Sequence, residues 1–303
     1  MPILNVVTGA FDYTGQYITR KLLRRGIMVR TLTGHPMRFN PFGRDSVQAV
    51  PFNFDRPNVL TENLRGATVV FNTYWIRFEH GGLTFARAVQ NIRQLIDCAV
   101  RAGIRRFVQI SITNASTASQ LPYFRGKGAI EEILRSCGLS YAIVRPTVIF
   151  GSEDILINNI AWALRTFPIF AVPGNGDYQL QPVFIEDLAE LVTNVGQQSE
   201  NVELDAVGPE TFRFDELLRL LARSMEKTVR LVHVPSSIAL LCASMIGRAM
   251  GDVMLTADEI RGLQENLLVS RASPTAPTRL SDWLEHHAGH LGLLYASELA
   301  KRA

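Results

Sequence analysis

The segment Tyr123-Phe124-Arg125-Gly126-Lys127 places a tyrosine and a lysine four residues apart at the start of a predicted helix. Residues i and i+4 lie on one face of a helix. An ammonium group next to a phenol favours the phenolate and lowers the pKa of the tyrosine from about 10 toward the working pH. Such a pair can move a proton while a hydride is transferred elsewhere. The spacing is also common in structural helices, but its position shortly after a strand favours catalysis.

A glycine turn near the start of the chain is the second candidate site. The apolar run 4–7 leads into a turn, and an amphipathic basic stretch follows at 17–25. A strand, a tight turn and a helix start form the arrangement that holds the pyrophosphate of a dinucleotide on backbone N–H groups. The residues of this turn that we assign to cofactor binding are Thr8, Gly9, Asp12, Tyr13, Thr14 and Gly15.

Asp12 stands where the middle glycine of the usual dinucleotide fingerprint is expected. Its carboxylate would repel a pyrophosphate, or would cap the helix and occupy the N–H groups that the phosphates need. Two interpretations stay open: Asp12 has abolished nucleotide binding, or the phosphates bind closer to Thr14 and Gly15. We expect the second.

The end of the second predicted strand distinguishes NAD from NADP. An acidic residue there holds the ribose 2′-OH of NAD, whereas an arginine accommodates the 2′-phosphate of NADP. The segment 31–38 has no acidic residue, and Thr33 and Arg38 make it neutral to basic. We therefore expect NADP in preference to NAD, with Arg38 as a solvated loop residue as the alternative. Asn72 and Thr73, at the end of the fourth predicted strand, are expected beside the nicotinamide ribose.

The elements that must position these residues alternate regularly over the first half of the chain. Apolar runs predict strands at 28–33, 47–52, 68–73, 106–112 and 140–145, and helical spacing predicts a helix between 82 and 102. This alternation is typical of an α/β fold with a doubly wound parallel (Rossmann) sheet. The rhythm changes after residue 150, where helices alternate with brief strands near 179, 202 and 229. We expect a Rossmann domain at 1–150 and, interleaved with it, a smaller α+β substrate-binding lobe with a helical tail at 151–303.

Several segments, taken in order, resemble the short-chain dehydrogenase/reductase superfamily, in its extended or atypical branch of NAD-dependent epimerase/dehydratase-like proteins. The resemblance implies an NAD(P) cofactor, with Tyr123 as the general acid/base and Lys127 as the group that lowers its pKa and binds the nicotinamide ribose. It also implies Asn91 as a structural or proton-relay residue and Pro146 as a cofactor contact. The segments that carry it are Thr8-Gly9-Ala10 with Gly15, Asn91, Tyr123 with Lys127, 145–151 (RPTVIFG) and 182–189 (PVFIEDLA).

The chain departs from the family pattern after the fifth predicted strand. The family often has two serines there, and this chain has Ser111-Ile112-Thr113. Ser111 is therefore the candidate catalytic serine, with Thr113 as the alternative. We interpret Glu131 and Glu132 as the solvated face of the helix that carries Lys127.

Composition limits the partners. A net charge of +3 on 303 residues, with dispersed Lys and Arg, argues against nucleic acid. The three cysteines have no pairing or metal-binding spacing, no metal site is predicted, and a reducing cytoplasm suits them. We expect no signal peptide, because the sequence passes from Met1 directly into the first predicted strand. The apolar stretch 237–255 is too short and interrupted for a membrane span, so we expect a packed helix; peripheral membrane association and a homodimer are the alternatives left open.

These features together predict an NAD(P)-dependent oxidoreductase or epimerase acting on a small hydroxyl- or carbonyl-bearing substrate. The alternative is a non-catalytic NAD(P)H-binding scaffold, redox sensor or assembly subunit, because the residues at positions 12 and 112 depart from the family pattern. The sequence does not identify the substrate.

Overall fold

The structure is a computed structural model that describes residues 3–43 and 46–299. The chain divides into two compact units. The first runs to Pro146 and also contains Glu186–Asp205, and the second comprises Thr147–Ile185 and the chain from Ala206 onward. The chain therefore leaves the first unit, returns to it once and leaves it again.

The strands, in chain order over the described residues, are β1 (Leu4–Thr8), β2 (Met28–Thr33), β3 (Val47–Pro51), β4 (Val69–Asn72), β5 (Arg106–Ile110), β6 (Ser140–Pro146), β7 (Val148–Phe150), β8 (Ile169–Pro173), β9 (Gln179–Leu180), β10 (Pro182–Phe184), β11 (Val202–Ala206), β12 (Phe212–Arg213) and β13 (Arg230–Val234). The helices are α1 (Tyr13–Arg24), α2 (Pro57–Leu64), α3 (Phe85–Arg101), α4 (Pro122–Ser136), α5 (Leu156–Thr166), α6 (Ile185–Gly196), α7 (Phe214–Ser224), α8 (Ser236–Met250), α9 (Ala257–Gln264) and α10 (Leu280–His287).

A seven-stranded sheet, counted over the described residues, forms the centre of the first unit. Its strand order is β11-β6-β5-β4-β1-β2-β3. The strands from β3 across to β6 pair in parallel, so β1, β2, β4, β5 and β6 all end at the same edge. The predicted doubly wound α/β fold is confirmed. All four residues of β4 are buried, as expected for a sheet covered on both faces.

Helices of the first unit bury one apolar face against this sheet. In α3 the side chain of Thr84 accepts a hydrogen bond from the Arg87 N–H at 3.1 Å and caps the helix. The buried residues of α3 recur at helical spacing and join a core with β1, β4 and β5 that includes Ile92, Leu95, Ile96, Val6, Val70 and Phe107.

The second unit has its own core around α5, α7 and α10. Its strands form three two-stranded pairs in the part of the chain that is described: β7 with β10 and β8 with β13 are parallel, and β9 with β12 is antiparallel. Phe150, Tyr178, Phe214 and Trp283 supply aromatic packing in this core.

Strand β11 lies in a different unit from the one predicted. The sequence placed a strand near residue 202 in the second lobe, but the strand lies beside β6 in the main sheet. Residues 202, 204 and 205 are half-buried and only residue 203 is exposed, a mixed pattern that does not indicate which sheet the strand joins. Helix α2, whose first residue is Pro57, was not predicted.

Helix α8 covers residues 237–250 of the apolar stretch 237–255. It packs through its small residues Ala239, Ala243 and Gly247, while Ile238 and Leu241 are 46% and 61% exposed. The expectation of a packed helix therefore holds for one face only. No helix within 3–43 and 46–299 is both long and apolar enough to cross a bilayer.

Candidate active site

The turn between β1 and α1 uses its two glycines in different ways. Gly9 has a φ of +64°, a left-handed conformation that glycine adopts without strain. A Cβ on Gly15 would lie 2.1 Å from the carbonyl oxygen of Gly9, so only glycine lets α1 approach the turn so closely. Both features are those that a pyrophosphate-binding turn requires.

Asp12 precedes α1 in an extended conformation, with φ −94° and ψ 166°. Any residue adopts this conformation, so the backbone does not need a glycine here. Its side chain makes no capping hydrogen bond to α1, contrary to one interpretation of the sequence. The carboxylate instead lies over Gly9, where Oδ2 is 2.6 Å from the position of a Cβ on that glycine.

Arg38 forms an ion pair with Asp12. The distance from Arg38 Nη1 to Asp12 Oδ1 is 3.2 Å, and the two side chains are 40% and 63% exposed. The pair connects the loop after β2 with the turn after β1. Thr33, the last residue of β2, is buried, and its Oγ1 accepts a hydrogen bond from the His35 N–H at 3.1 Å.

Thr8 and Asn72 hold the ends of three neighbouring strands together. Thr8 Oγ1 donates to Asn72 Oδ1 at 3.0 Å and accepts from the Thr73 N–H at 2.8 Å. Asn72 Nδ2 donates to Gln109 Oε1 at 2.8 Å. Thr8 and Asn72 are fully buried, whereas Thr73 is half-buried. The structure therefore gives Thr8 and Asn72 a positioning role at the edge where their cofactor contacts were expected.

Lys127 is fixed at the carboxyl end of β5. Its Nζ donates a hydrogen bond of 2.8 Å to the carbonyl oxygen of Ile110, the last residue of that strand. The side chain is 4% exposed. Burial lowers the pKa of Lys127 to about 7, against an opposing effect of the Glu131 carboxylate. Tyr123 lies one turn earlier on α4 and is half-buried.

An aromatic cluster surrounds this pair. The ring of Tyr123 makes edge contacts with Trp75 and Phe85, with centroids 5.8 and 5.9 Å apart. The Trp75 ring also covers Lys127, whose Nζ lies 4.9 Å from the ring centroid. A Cβ on Gly126 would lie 2.7 Å from Trp75 Cη2, so the indole can pack against α4 at this position only because residue 126 has no side chain. The indole Nε1 is buried and has no hydrogen-bond partner among the described residues.

The structure also places the other predicted catalytic residues, Ser111 and Asn91, and the remaining predicted cofactor contacts. Ser111 is buried, and its Oγ donates to Glu131 Oε1 at 2.6 Å. Asn91 Nδ2 donates to the Tyr74 hydroxyl at 2.9 Å. Pro146 is buried at the end of β6, where its carbonyl accepts from the Thr113 N–H at 3.0 Å. Tyr13 and Thr14, in the first turn of α1, are half-buried.

Glu131 was expected on the solvated face of α4, and this expectation was wrong. It is 2% exposed, and Arg145 approaches both of its carboxylate oxygens, at 2.9 and 2.7 Å. Arg145 also binds Glu203, whose pKa is lowered to about 2 by hydrogen bonds from Arg135 and Arg145. Glu132, the next residue, is exposed. The sequence contained one indication that Glu131 is buried: an arginine that could neutralise it, Arg145, lies in the strand that follows α4.

The described residues contain no group of three or more His, Cys, Asp or Glu that could hold a metal ion. The main features of the site are therefore the glycine turn with its ion pair and the Tyr123–Lys127 segment at the same sheet edge.

Comparison with known proteins identifies the family. The model of the NmrA-like family matches residues 4–286. The chain belongs to the NmrA-like family. Its resemblance to the extended branch of short-chain dehydrogenases/reductases is thereby confirmed.

Curated relatives of this NmrA-like protein have different roles. The 40 kDa subunit of mitochondrial NADH-ubiquinone oxidoreductase from Neurospora crassa is 26% identical over 84% of this chain and 68% of its own length. Subunit 9 of the NADH dehydrogenase 1 alpha subcomplex from Arabidopsis thaliana is 25% identical over 88% and 71%. A ceramide reductase from Caulobacter vibrioides is 25% identical over 79% and 76%.

Solved structures share the fold. A nucleoside-diphosphate-sugar epimerase from Staphylococcus aureus superposes with a TM-score of 0.76 at 15% identity, covering 94% of this chain and all of that chain. An NADPH-dependent quinone oxidoreductase from Escherichia coli, solved with NADPH, gives 0.74 at 18% identity, covering 93% and 99%.

Proposed function

We propose that this NmrA-like protein is an NAD(P)-dependent oxidoreductase or epimerase that acts on a small hydroxyl- or carbonyl-bearing substrate. The observation that carries the proposal is the hydrogen bond from Lys127 to the Ile110 carbonyl. It anchors α4, and with it Tyr123, at the carboxyl end of β5, and ligands of open parallel sheets bind at that edge.

The glycine turn fits a dinucleotide. Gly9 and Gly15 supply the positive φ and the close approach of α1, and Asp12 leaves the first N–H groups of that helix uncapped by its side chain. In the proposal, the pyrophosphate binds at Tyr13, Thr14 and Gly15. The 2′-phosphate of NADP, the preferred cofactor, binds at Arg38. The nicotinamide end binds near Thr73, Lys127 and Pro146, and the bound cofactor supplies or accepts the hydride.

Tyr123 is the proposed general acid/base. A protonated Lys127 favours the phenolate, and burial lowers the pKa of this amine to about 7, so that its charge changes near neutral pH. Asn91 or Ser111 completes the proton path in this proposal. The similarity to a ceramide reductase and to an NADPH-dependent quinone oxidoreductase supports the reduction of a carbonyl group.

The aromatic cluster supports an apolar carbonyl substrate over a heavily hydroxylated one. The Tyr123 hydroxyl belongs to a ring whose neighbours are Trp75 and Phe85, which offer ring surface next to the proposed acid. Free cysteines at 98, 137 and 242 are consistent with the proposed cytoplasmic location.

A second candidate function is that of a cofactor-binding scaffold, sensor or assembly subunit without turnover. One contact favours it: the candidate catalytic serine, Ser111, donates its hydroxyl proton to Glu131. The relatives that are subunits of NADH-ubiquinone oxidoreductase support the same candidate.

The test is NADPH consumption with a panel of quinones, aromatic ketones and aldehydes, using wild-type protein and Tyr123→Phe. We expect turnover by the wild type and a loss of about a hundredfold or more in the variant, with cofactor affinity unchanged. Tyr141→Phe, a tyrosine of β6, is the control and should retain full turnover. Equal turnover of Tyr123→Phe and wild type removes Tyr123 from the mechanism, and cofactor binding without turnover on any substrate favours the scaffold.

A further inference from the structure

The ion pair between Asp12 and Arg38 joins two residues that have opposite effects on a dinucleotide. The carboxylate lies over Gly9 in the glycine turn, and the guanidinium belongs to the loop after β2 that distinguishes NAD from NADP. A single contact of 3.2 Å therefore couples the pyrophosphate region to the 2′-position.

This contact is not a consequence of backbone geometry. The extended conformation of Asp12 suits any residue, and the side chain does not serve as the helix cap. The carboxylate brings to this turn a negative charge and an ion pair with Arg38.

Resting on the proposed function, we infer that Asp12 is a specificity-determining residue that competes with the 2′-phosphate of NADP(H) for Arg38. With NAD(H), Arg38 stays on Asp12 and neutralises the carboxylate beside the diphosphate. With NADP(H), the 2′-phosphate binds the guanidinium, and the Asp12 carboxylate loses its ion pair with Arg38 next to an anionic ligand. Asp12 thus reduces the preference for NADP(H) that Arg38 alone would give.

The exposure of the pair sets the size of the effect. Ion pairs between side chains that are 40% and 63% exposed are screened by water and contribute weakly. A phosphate dianion can therefore displace Asp12 from Arg38, and NADP(H) is not excluded. We expect the NADPH-to-NADH affinity ratio to change by about fivefold when the Asp12 charge is removed, the upper end for an exposed pair.

The experiment is a titration of the full-length protein with NADPH and with NADH, followed by nicotinamide fluorescence. The variants are Asp12→Asn, Arg38→Gln and the double variant. Asp12→Asn should tighten both cofactors, because a repulsive charge is lost, and should raise the NADPH-to-NADH ratio about fivefold. In the Arg38→Gln background the same substitution should leave the ratio unchanged, because the competition needs the arginine.

Glu62→Gln is the matched control. Glu62 is an exposed acid of α2 that pairs with Arg65 at 3.0 Å, so the substitution changes the net charge by the same amount without altering the glycine turn. It should leave the affinity ratio unaltered.

Three results would overturn the inference. A ratio that is unchanged or lower in Asp12→Asn shows that the carboxylate does not compete for Arg38, while the proposed function stands. A rise of equal size in the Arg38→Gln background shows that the effect does not pass through the arginine. Failure of the wild type and of every variant to bind either nucleotide removes both the inference and the proposed function.

Discussion

Ser111 Oγ donates a hydrogen bond of 2.6 Å to Glu131 Oε1, and both side chains are buried. Glu131 lies one turn after Lys127 on α4, and Arg145 binds its carboxylate. The serine offered by the family resemblance as a catalytic group is thus part of a buried charged network. Its proton points at a carboxylate that the sequence placed in solvent.

Glu131→Gln should destabilise the protein by about 3 kcal/mol, because it leaves the half-buried Arg145 guanidinium without its closest buried counter-charge. Glu132→Gln is a matched control one position along the same helix, where the side chain is exposed, and it should change the stability by less than about 0.5 kcal/mol. Urea unfolding followed by circular dichroism measures both. Equal effects of the two substitutions would show that burial of Glu131 does not matter for stability.

Lys127 should make the stability depend on pH. Its pKa is about 7 in the folded protein and near 10.5 when unfolded, so between these values the unfolded chain binds more protons. The free energy of unfolding should therefore rise as the pH increases from about 7 toward 10.5, as the buried amine loses its charge. Lys127→Met should lack this rise, whereas Lys227→Met, at an exposed lysine, should keep it. Thermal unfolding across this pH range tests the prediction, and parallel curves for wild type and Lys127→Met would contradict it.

Gly126→Ala should displace the Trp75 indole from α4. The new Cβ would stand 2.7 Å from Cη2, and overpacking of this kind costs about 1–3 kcal/mol of stability. In a Trp75→Ala background the same substitution should cost much less, because the clashing ring is gone. Gly289→Ala, at a position with no atom within 4 Å of a Cβ, is the control and should have little effect. If Gly126→Ala lowers the stability by the same amount with and without the indole, the substitution does not act through a clash with Trp75.

The parallel sheet could be predicted from the sequence because its central strands are short apolar runs at regular intervals. β4 is an example, since all of its residues are apolar except the last. The strand near residue 202 was recognised but assigned to the wrong unit, because β11 has a mixed pattern and its neighbour β6 lies some sixty residues earlier in the chain. Local periodicity carries no information on such long-range pairing.

The candidate site could be predicted in its residue types but less well in their contacts. Asp12 and Arg38 were each singled out, one as an obstacle to phosphate and one as a possible ligand of it. Their pairing depends on two loops that follow adjacent strands, β1 and β2. The burial of Glu131 was missed for a similar reason. Helical spacing predicts that Glu131 lies on the same face of α4 as Lys127, but the arginine that neutralises its charge comes from a different element, β6.

The return of Glu186–Asp205 to the first unit has a consequence for synthesis on the ribosome. This excursion supplies β11, the Glu203 carboxylate beside Arg145, and the Val195 carbonyl that accepts from the fully buried Arg106 at 2.8 Å. A nascent chain that has emerged only as far as β6 therefore lacks an edge strand and the backbone acceptor of the Arg106 Nε–H group. The ribosome must therefore synthesise Thr147–Ile185, which belongs to the second unit, before the last segment of the first unit is available. Folding of the first unit cannot be completed earlier.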